Sequence, residues 1–167
     1  MRLIKSFLAV CLIFAASMAL GADEAAVRVE SSNLQGPRTL QQQTQTAVIR
    51  DYLEAWQSFQ AALEQNRAGL LDADFVGTAK DKLTSTIQEQ AKLGIHIRYE
   101  DRAHDVKIIF YSPDGLSVQL IDKVDYDVQV VDHDKVQASE PVSARYIVVL
   151  TPSEVRWRVR VFQAARD

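Results

Sequence analysis

The longest regular pattern in the chain is an alternation of apolar and polar residues from Leu116 to Val131. Its even-numbered positions are apolar except for Asp122, and most of its odd-numbered positions are polar. A period of two predicts a β-strand with one buried face, and a strand this long must twist or bend. We therefore expect it to form the spine of a sheet, with Asp122 on the buried face unless a bulge turns it into water.

Helical periodicity comes before this strand. From Thr44 to Leu63, apolar residues recur at steps of three and four, which predicts a long amphipathic helix. Gly69 is suited to a left-handed cap after it. A short helical segment, Leu70 to Val76, and a third helix from Thr78 to Gly94 are expected next.

The remaining residues form a series of strand patterns separated by turns. Alternation covers Ile95–Tyr99, His104–Tyr111, Val142–Leu150 and the closing run Val155–Val161, and Ser112-Pro113-Asp114-Gly115 is a strong turn signal. Helices followed by an antiparallel meander predict an α+β domain. We expect N-terminal helices packed on a strongly curved antiparallel sheet of four to five strands, with a cone-shaped interior.

This order of elements resembles the nuclear transport factor 2-like superfamily, which includes the ketosteroid isomerases and the SnoaL-like cyclases. The residues that carry the resemblance are Tyr52-Leu53-Glu54-Ala55-Trp56 in the first helix, Leu70-Leu71 with Phe75 in the break, and the strand from Val155 to Phe162. The resemblance covers roughly residues 44–164. It implies a cone fold with a concave interior, and an outer sheet face that serves in dimerisation. No local motif lets the isomerase roles be transferred residue by residue.

The N-terminus has the layout of a secretory signal peptide over residues 1–21. Met1 to Lys5 is basic, Phe7 to Leu20 is apolar, and Ala19-Leu20-Gly21 offers a cleavage site. The apolar run is shorter than the ~20 residues that a membrane-spanning helix needs, so cleavage and export to the periplasm or the outside are expected. The alternative is an uncleaved membrane anchor. Residues 22–43 are expected to form a flexible tail, and residues 44–165 form the predicted domain.

Composition narrows the classes of partner. Loss of Arg2 and Lys5 with the leader leaves 17 basic residues of the 19 against 22 acidic ones, a formal charge of −5. This charge gives no electrostatic case for binding nucleic acid or anionic lipid. Cys11 is the only cysteine and lies within the leader, so thiol chemistry is not expected in the mature chain.

The candidate chemistry centres on Asp122. Pairing across the Pro113-Asp114-Gly115 turn, with Ser112 opposite Leu116, places Val106 opposite Asp122 and brings His104 within reach on the same face. Tyr146 or Val148 is expected opposite Asp122 on the following strand. Burial raises the pKa of a carboxylate, which then suits a general base or acid, and a tyrosine can stabilise an oxyanion. Asp122, His104 and Tyr146 are therefore candidate catalytic residues, and the alternative is a structural hydrogen-bonded group.

Two further sets of residues are candidate binding sites. An aromatic set on the first helix and the last strand is expected either to line a pocket for a small apolar ligand or to fill the core: Tyr52, Trp56, Phe59 and Trp157. A basic set is expected to point outward from the sheet, where it forms cross-strand ion pairs or a homodimer interface: Arg145, Arg156, Arg158 and Arg160. The register across the last turn is expected to place Arg158 opposite Ile147.

Strong catalytic and cofactor motifs are absent from the sequence. It contains no Gly-rich phosphate loop, no nucleophile elbow and no metal-spaced histidine pair, so we expect no cofactor and no metal. The expected function is a non-catalytic ligand-binding or assembly module. The alternatives are a cofactor-free isomerase, dehydratase or hydrolase that uses Asp122, and an accessory domain of an envelope complex tethered by an uncleaved N-terminal helix.

Overall fold

The structure, a computed structural model, describes residues 25–31, 34 and 38–165. It contains two α-helices and a five-stranded sheet, which confirms the predicted α+β class. The predicted signal peptide over residues 1–21 lies outside the described residues. The elements are β1 (Ala26–Val29), α1 (Gln42–Gln65), a 3-10 turn (Ala68–Leu71), α2 (Gly77–Leu93), β2 (His96–Tyr111), β3 (Val118–Asp132), β4 (Lys135–Pro152) and β5 (Trp157–Ala165).

The helices follow the predicted pattern with different ends. The first helix closes at Asn66, which adopts a left-handed conformation with φ of 52°, a role that had been assigned to Gly69. Asparagine tolerates this conformation because its short side chain can bond locally, and here Asn66 Nδ2 donates to the carbonyl of Ile95 at 2.8 Å. The predicted second helix is only the single 3-10 turn.

The sheet is open and mixed, with the strand order β1-β2-β3-β4-β5. Strands β2 to β5 form the predicted antiparallel meander. The flexible tail predicted over residues 22–43 requires a correction at Ala26–Val29, because these residues form β1, parallel to the edge of β2. The backbone N–H of Glu30 donates to the carbonyl of Val106 at 2.9 Å. The edge of β2 therefore supplies backbone hydrogen-bond partners that the sequence of the tail alone does not reveal.

Alternation in β3 continues unbroken through Asp122. The pairing of β3 with β4 keeps one register from Val118 as far as Val130, and Asp122 is completely buried. A bulge that turns this carboxylate into water is therefore excluded. The pairing of β2 with β3 instead shifts register between Asp101 and Ala103, at a position that we call the β2 bulge, and again between Ile108 and Phe110.

The predicted register of the last strand is wrong. Arg158 pairs with Thr151, not with Ile147, because a tight turn closes just before β5, where Ser153 N–H donates to the Arg156 carbonyl at 2.8 Å. A further register shift beside Val149 reverses the alternation.

This shift changes which residues of the closing strand are buried. Phe162 packs against the core on the inner face, whereas Val161 pairs with Val149 on the outer face. Val155, the first residue of the predicted closing strand, lies in the turn before β5 and is 83% exposed.

The centre of the core is the indole of Trp56, which is 1% exposed. Within the described residues, six side-chain rings surround it with centroids at 5.1–6.4 Å: Phe59, Tyr99, His104, Tyr126, Tyr146 and Phe162. Most of these pairs meet edge to face, the arrangement that ring quadrupoles favour. The interior between α1 and the sheet is therefore filled by aromatic rings.

None of the helices in the described ranges combines the length and apolarity needed to cross a membrane.

Candidate functional site

Asp122 is the centre of a buried group of polar side chains. Its Oδ2 accepts a hydrogen bond from the hydroxyl of Tyr52 on α1 at 2.7 Å and lies 2.7 Å from His104 Nδ1 on β2. The strand pairing that leads to this contact is as predicted, with His104 opposite Val124 and Val106 opposite Asp122. The structure therefore brings two of the three candidate catalytic residues into direct contact.

His104 lies between two carboxylates. Its Nδ1 contacts Asp122, and its Nε2 lies 3.4 Å from Oδ2 of Asp101. Burial alone would lower the pKa of His104, but hydrogen bonds to Asp101 and Asp122, together with their charges, raise it to about 9. At neutral pH the ring is therefore an imidazolium, which can donate from both nitrogens.

Asp101 was missed by the sequence reasoning, although it completes the group. Its Oδ2 accepts hydrogen bonds from Trp56 Nε1 and from Gln60 Nε2, both at 2.7 Å. The β2 bulge explains the meeting of Asp101 and His104, because it places both on the inner face although they are three residues apart. The signal in the sequence was a change of the apolar positions from odd numbers, at Ile97 and Tyr99, to even numbers, at Val106 and Ile108. We call Tyr52, Asp101, His104 and Asp122 the buried polar cluster.

Tyr146, the third candidate catalytic residue, lies opposite Asp122 on β4. Its hydroxyl, however, pairs with the hydroxyl of Tyr126 at 3.1 Å, and its ring stacks on Phe162 at 4.9 Å. Tyr52 takes the place beside the carboxylate. Burial, followed by the Asp122 charge, raises the pKa of Tyr52 far above its usual range, and burial, with the hydroxyl of Tyr126, also raises the pKa of Tyr146. Both tyrosines remain neutral hydrogen-bonding phenols at physiological pH.

The proposed ligand-pocket residues are packed into the core. Tyr52, Trp56 and Phe59 are buried on α1, and Trp157 is half-buried at the start of β5. The backbone N–H of Trp157 donates to Oδ2 of Asp51 at 2.7 Å, which fixes the start of β5 to the helix. Together with the rings around Trp56, this packing fills the centre of the interior, where these residues were expected to line a pocket or fill the core.

A cavity opens between α1 and the edge of the sheet formed by β1 and β2. It has a volume of about 310 Å³, and we call it the side pocket. Its lining residues are Ala25, Val27, Leu53, Trp56, Gln57, Gln60, Tyr99, Asp101 and His104. It therefore reaches Asp101 and His104 of the buried polar cluster, whereas Asp122 lies deeper.

The four arginines do not share one outer surface, which corrects the expectation that all of them point outward from the sheet. Arg156 lies in the turn before β5, where its Nη1 bonds Oδ1 of Asp74 at 2.6 Å. Arg158 Nη2 donates to the carbonyl of Phe75 at 3.2 Å, in the segment that leads to α2.

The other two arginines remain near the outer surface. Arg160 is exposed, and Arg145 lies on the outer face of β4 opposite Lys123. An apolar strip crosses this face beside them, formed by half-buried residues of four strands that we call the outer patch: Phe110, Ile121, Ile147, Val149 and Val161. The outer face is therefore apolar along one row and charged along the next.

No cluster of three or more histidine, cysteine or acidic side chains suited to a metal ion is present among residues 25–31, 34 and 38–165.

Comparisons with known proteins define the fold. No family model matches the chain, and no curated protein matches it. Among solved structures, the intermembrane space region of chloroplast protein ARC6 matches with a TM-score of 0.63 and 14% identity over 78% of this chain and 100% of that one. A protein of Novosphingobium aromaticivorans assigned as a scytalone dehydratase gives 0.52 and 10%, over 75% and 89%. The Aln2 protein of a Streptomyces species gives 0.52 and 16%, over 77% and 94%.

These likenesses support the cone fold of the nuclear transport factor 2-like type that the order of elements suggested. At such low identities they describe the fold alone, since one fold supports many unrelated activities.

Proposed function

We propose that this chain is an exported, non-catalytic α+β domain that binds a ligand or a partner. The observation that carries the proposal is the filled centre of the interior, which leaves Asp122 out of reach of a substrate. Trp56 and its surrounding rings fill the space between helix and sheet, and the carboxylate best placed for chemistry, Asp122, is 0% exposed.

The bonding of the cluster supports the same conclusion. A general base needs a free lone pair within reach of a substrate proton. Oδ2 of Asp122 is already bonded to Tyr52 and His104, and its Oδ1, which has no hydrogen-bond partner among the described residues, is out of reach because Asp122 is 0% exposed. His104 holds its proton to about pH 9 and has no basic nitrogen to offer at neutral pH. The cluster suits a structural role, in which an imidazolium and a phenol bind buried carboxylates.

The test is a comparison of Asp122→Asn with Asp125→Asn, on the inner and outer faces of the same strand. If the cluster is structural, Asp122→Asn lowers the free energy of unfolding by about 1.5–3 kcal/mol, because it removes the charged acceptor that binds both Tyr52 and His104. Asp125→Asn, on the exposed face, changes it by less than about 0.5 kcal/mol. Unchanged or increased stability in Asp122→Asn would instead favour the cofactor-free enzyme, since active-site groups are often held at a cost in stability.

Export rests on the leader pattern of residues 1–21. N-terminal sequencing of the protein recovered from the producing cell decides between the two versions of the proposal. A mature start near Ala22 supports a released domain, and an intact Met1 supports the envelope-tethered accessory domain.

Self-association through the outer patch is the proposed mode of assembly. The two subunits of an isologous dimer meet through the same patch, which must be complementary to itself. The outer patch meets this requirement, because its apolar strip can pack on its own copy while the basic side chains beside it face acidic ones. Ile147→Lys is expected to convert a dimer into a monomer in sedimentation velocity, and Val136→Lys, in the β3–β4 hairpin region and already 47% exposed, is the matched control. A monomeric wild-type chain would contradict the proposal.

A further inference from the structure

We propose that the side pocket binds a primary ammonium group carried on a compact apolar body, with the carboxylate of Asp101 as its acceptor. This assigns a ligand class to the proposed binding function and rests on it. The inference draws on the charge of the cluster, an unused hydrogen-bond acceptor, and the aromatic walls of the pocket.

The charge in the cluster is unbalanced. Asp101 and Asp122 are formally two negative charges, and His104 supplies one positive charge between them. The side pocket is lined, within the described residues, by no lysine and no arginine. A buried negative charge is costly unless a cation pairs with it. A ligand cation in the adjoining pocket would supply that pairing.

Asp101 is the carboxylate that a ligand can reach. It lines the side pocket and keeps 13% of its side chain exposed, whereas Asp122 is completely buried. Trp56, Gln60 and His104 all approach Oδ2 of Asp101, while Oδ1 is buried and has no hydrogen-bond partner among the described residues. Oδ1 is therefore the acceptor of Asp101 that the described residues leave unused.

The walls of the pocket fit the rest of such a ligand. Trp56 and Tyr99 contribute aromatic rings, and Leu53 and Val27 contribute aliphatic surface. Rings next to a carboxylate are favourable surroundings for an ammonium ion, because the ring faces also attract cations. The volume of about 310 Å³ is roughly that of ten water molecules, at the small end of ligand pockets. One free carboxylate oxygen suits a single N–H donor, whereas Ca²⁺ takes six or more oxygens.

The test uses benzylamine and its neutral analogue benzyl alcohol as probes. Binding to the full mature chain at pH 7 is followed by NMR through the indole N–H of Trp56, which bonds Asp101. We expect benzylamine to bind with one site per chain, and benzyl alcohol to bind at least tenfold more weakly. Equal affinity for the two probes, or no shift with either, overturns the proposal.

Variants assign the binding to the side pocket. Asp101→Asn is expected to weaken benzylamine binding at least tenfold, and Asp105→Asn, on the outer face of the same strand, less than twofold. Because Asp101→Asn can also disturb folding, Gln57→Phe provides a second test: it fills the pocket from an exposed helix position without altering the cluster, and should abolish binding. Binding that survives Gln57→Phe contradicts the assignment. The outcome is separable from the proposed function, since loss of the amine site leaves the stability difference between Asp122→Asn and Asp125→Asn unaffected.

Discussion

The pH dependence of stability follows directly from the position of His104 between two carboxylates. Its pKa rises from 6.5 in the unfolded chain to about 9 in the fold. At 1.36 kcal/mol per pKa unit, this shift corresponds to about 3 kcal/mol of stabilisation. Because the folded state binds the proton more tightly, the contribution is complete below about pH 6.5 and is lost as the pH rises through 9.

Urea unfolding between pH 6 and pH 9.5 measures this effect. The fluorescence of Trp56, which is buried against His104 with ring centroids 5.2 Å apart, reports the transition. We expect the free energy of unfolding to fall by about 3 kcal/mol across this range in the wild-type chain. In His104→Gln the fall should disappear, and the stability at pH 6 should be lower, because no cation remains between Asp101 and Asp122.

The control is His133→Gln, which removes an exposed histidine in the β3–β4 turn. It is expected to keep the full pH dependence of the wild-type chain. A flat profile in the wild-type chain, or a slope that persists in His104→Gln, would refute the account of His104 as a buried imidazolium.

Three further substitutions test the packing and the turns. Trp56→Ala should lower the free energy of unfolding by about 3–5 kcal/mol, and a loss below 1 kcal/mol in urea unfolding would show that the interior is loosely packed. Asp134→Gly should raise the melting temperature through a gain of about 1 kcal/mol, because Asp134 has a φ of 60° in the β3–β4 turn; a lower melting temperature would contradict this. Gly115→Ala should lose about 1–2 kcal/mol in the same assay, because φ is +77° and a Cβ would lie 2.7 Å from Arg38 Nη1. Wild-type stability in Gly115→Ala would count against that turn conformation.

The sequence was sufficient for the strands whose period is regular. The β3 pattern placed Asp122 on the buried face, and the structure agrees. The residues opposite Asp122 on the two neighbouring strands are Val106 on β2 and Tyr146 on β4, and both are buried. The correct pairing of Val106 with Asp122 nevertheless arose from two compensating differences. The turn is one residue wider than expected, since Ser112 N–H bonds the Ser117 carbonyl, and a register shift beyond Ile108 restores the predicted alignment.

Features that depend on tertiary partners were beyond the sequence. The parallel pairing of β1 requires the exposed edge of β2, which no local pattern in Ala26–Val29 specifies. Tyr52 was expected to line a pocket or fill the core, and its hydroxyl acquires a role only because Asp122, 70 residues away in the sequence, lies opposite it. Arg156 was placed on the sheet by alternation, but the turn before β5 directs it to Asp74. In each case the periodicity of the local sequence predicts a helix or a strand, while the residue that the side chain or strand contacts lies in a distant part of the chain.

The central claim is that His104 is a buried imidazolium held between Asp101 and Asp122, and ¹⁵N NMR of its imidazole tests this most directly. At pH 7.5 the account predicts that both ring nitrogens are protonated and that their N–H protons exchange slowly with water, because Asp101 and Asp122 hold them. A neutral ring that titrates below pH 7, with ring N–H protons in fast exchange, would contradict the claim and indicate an interior that is open to solvent and available for chemistry.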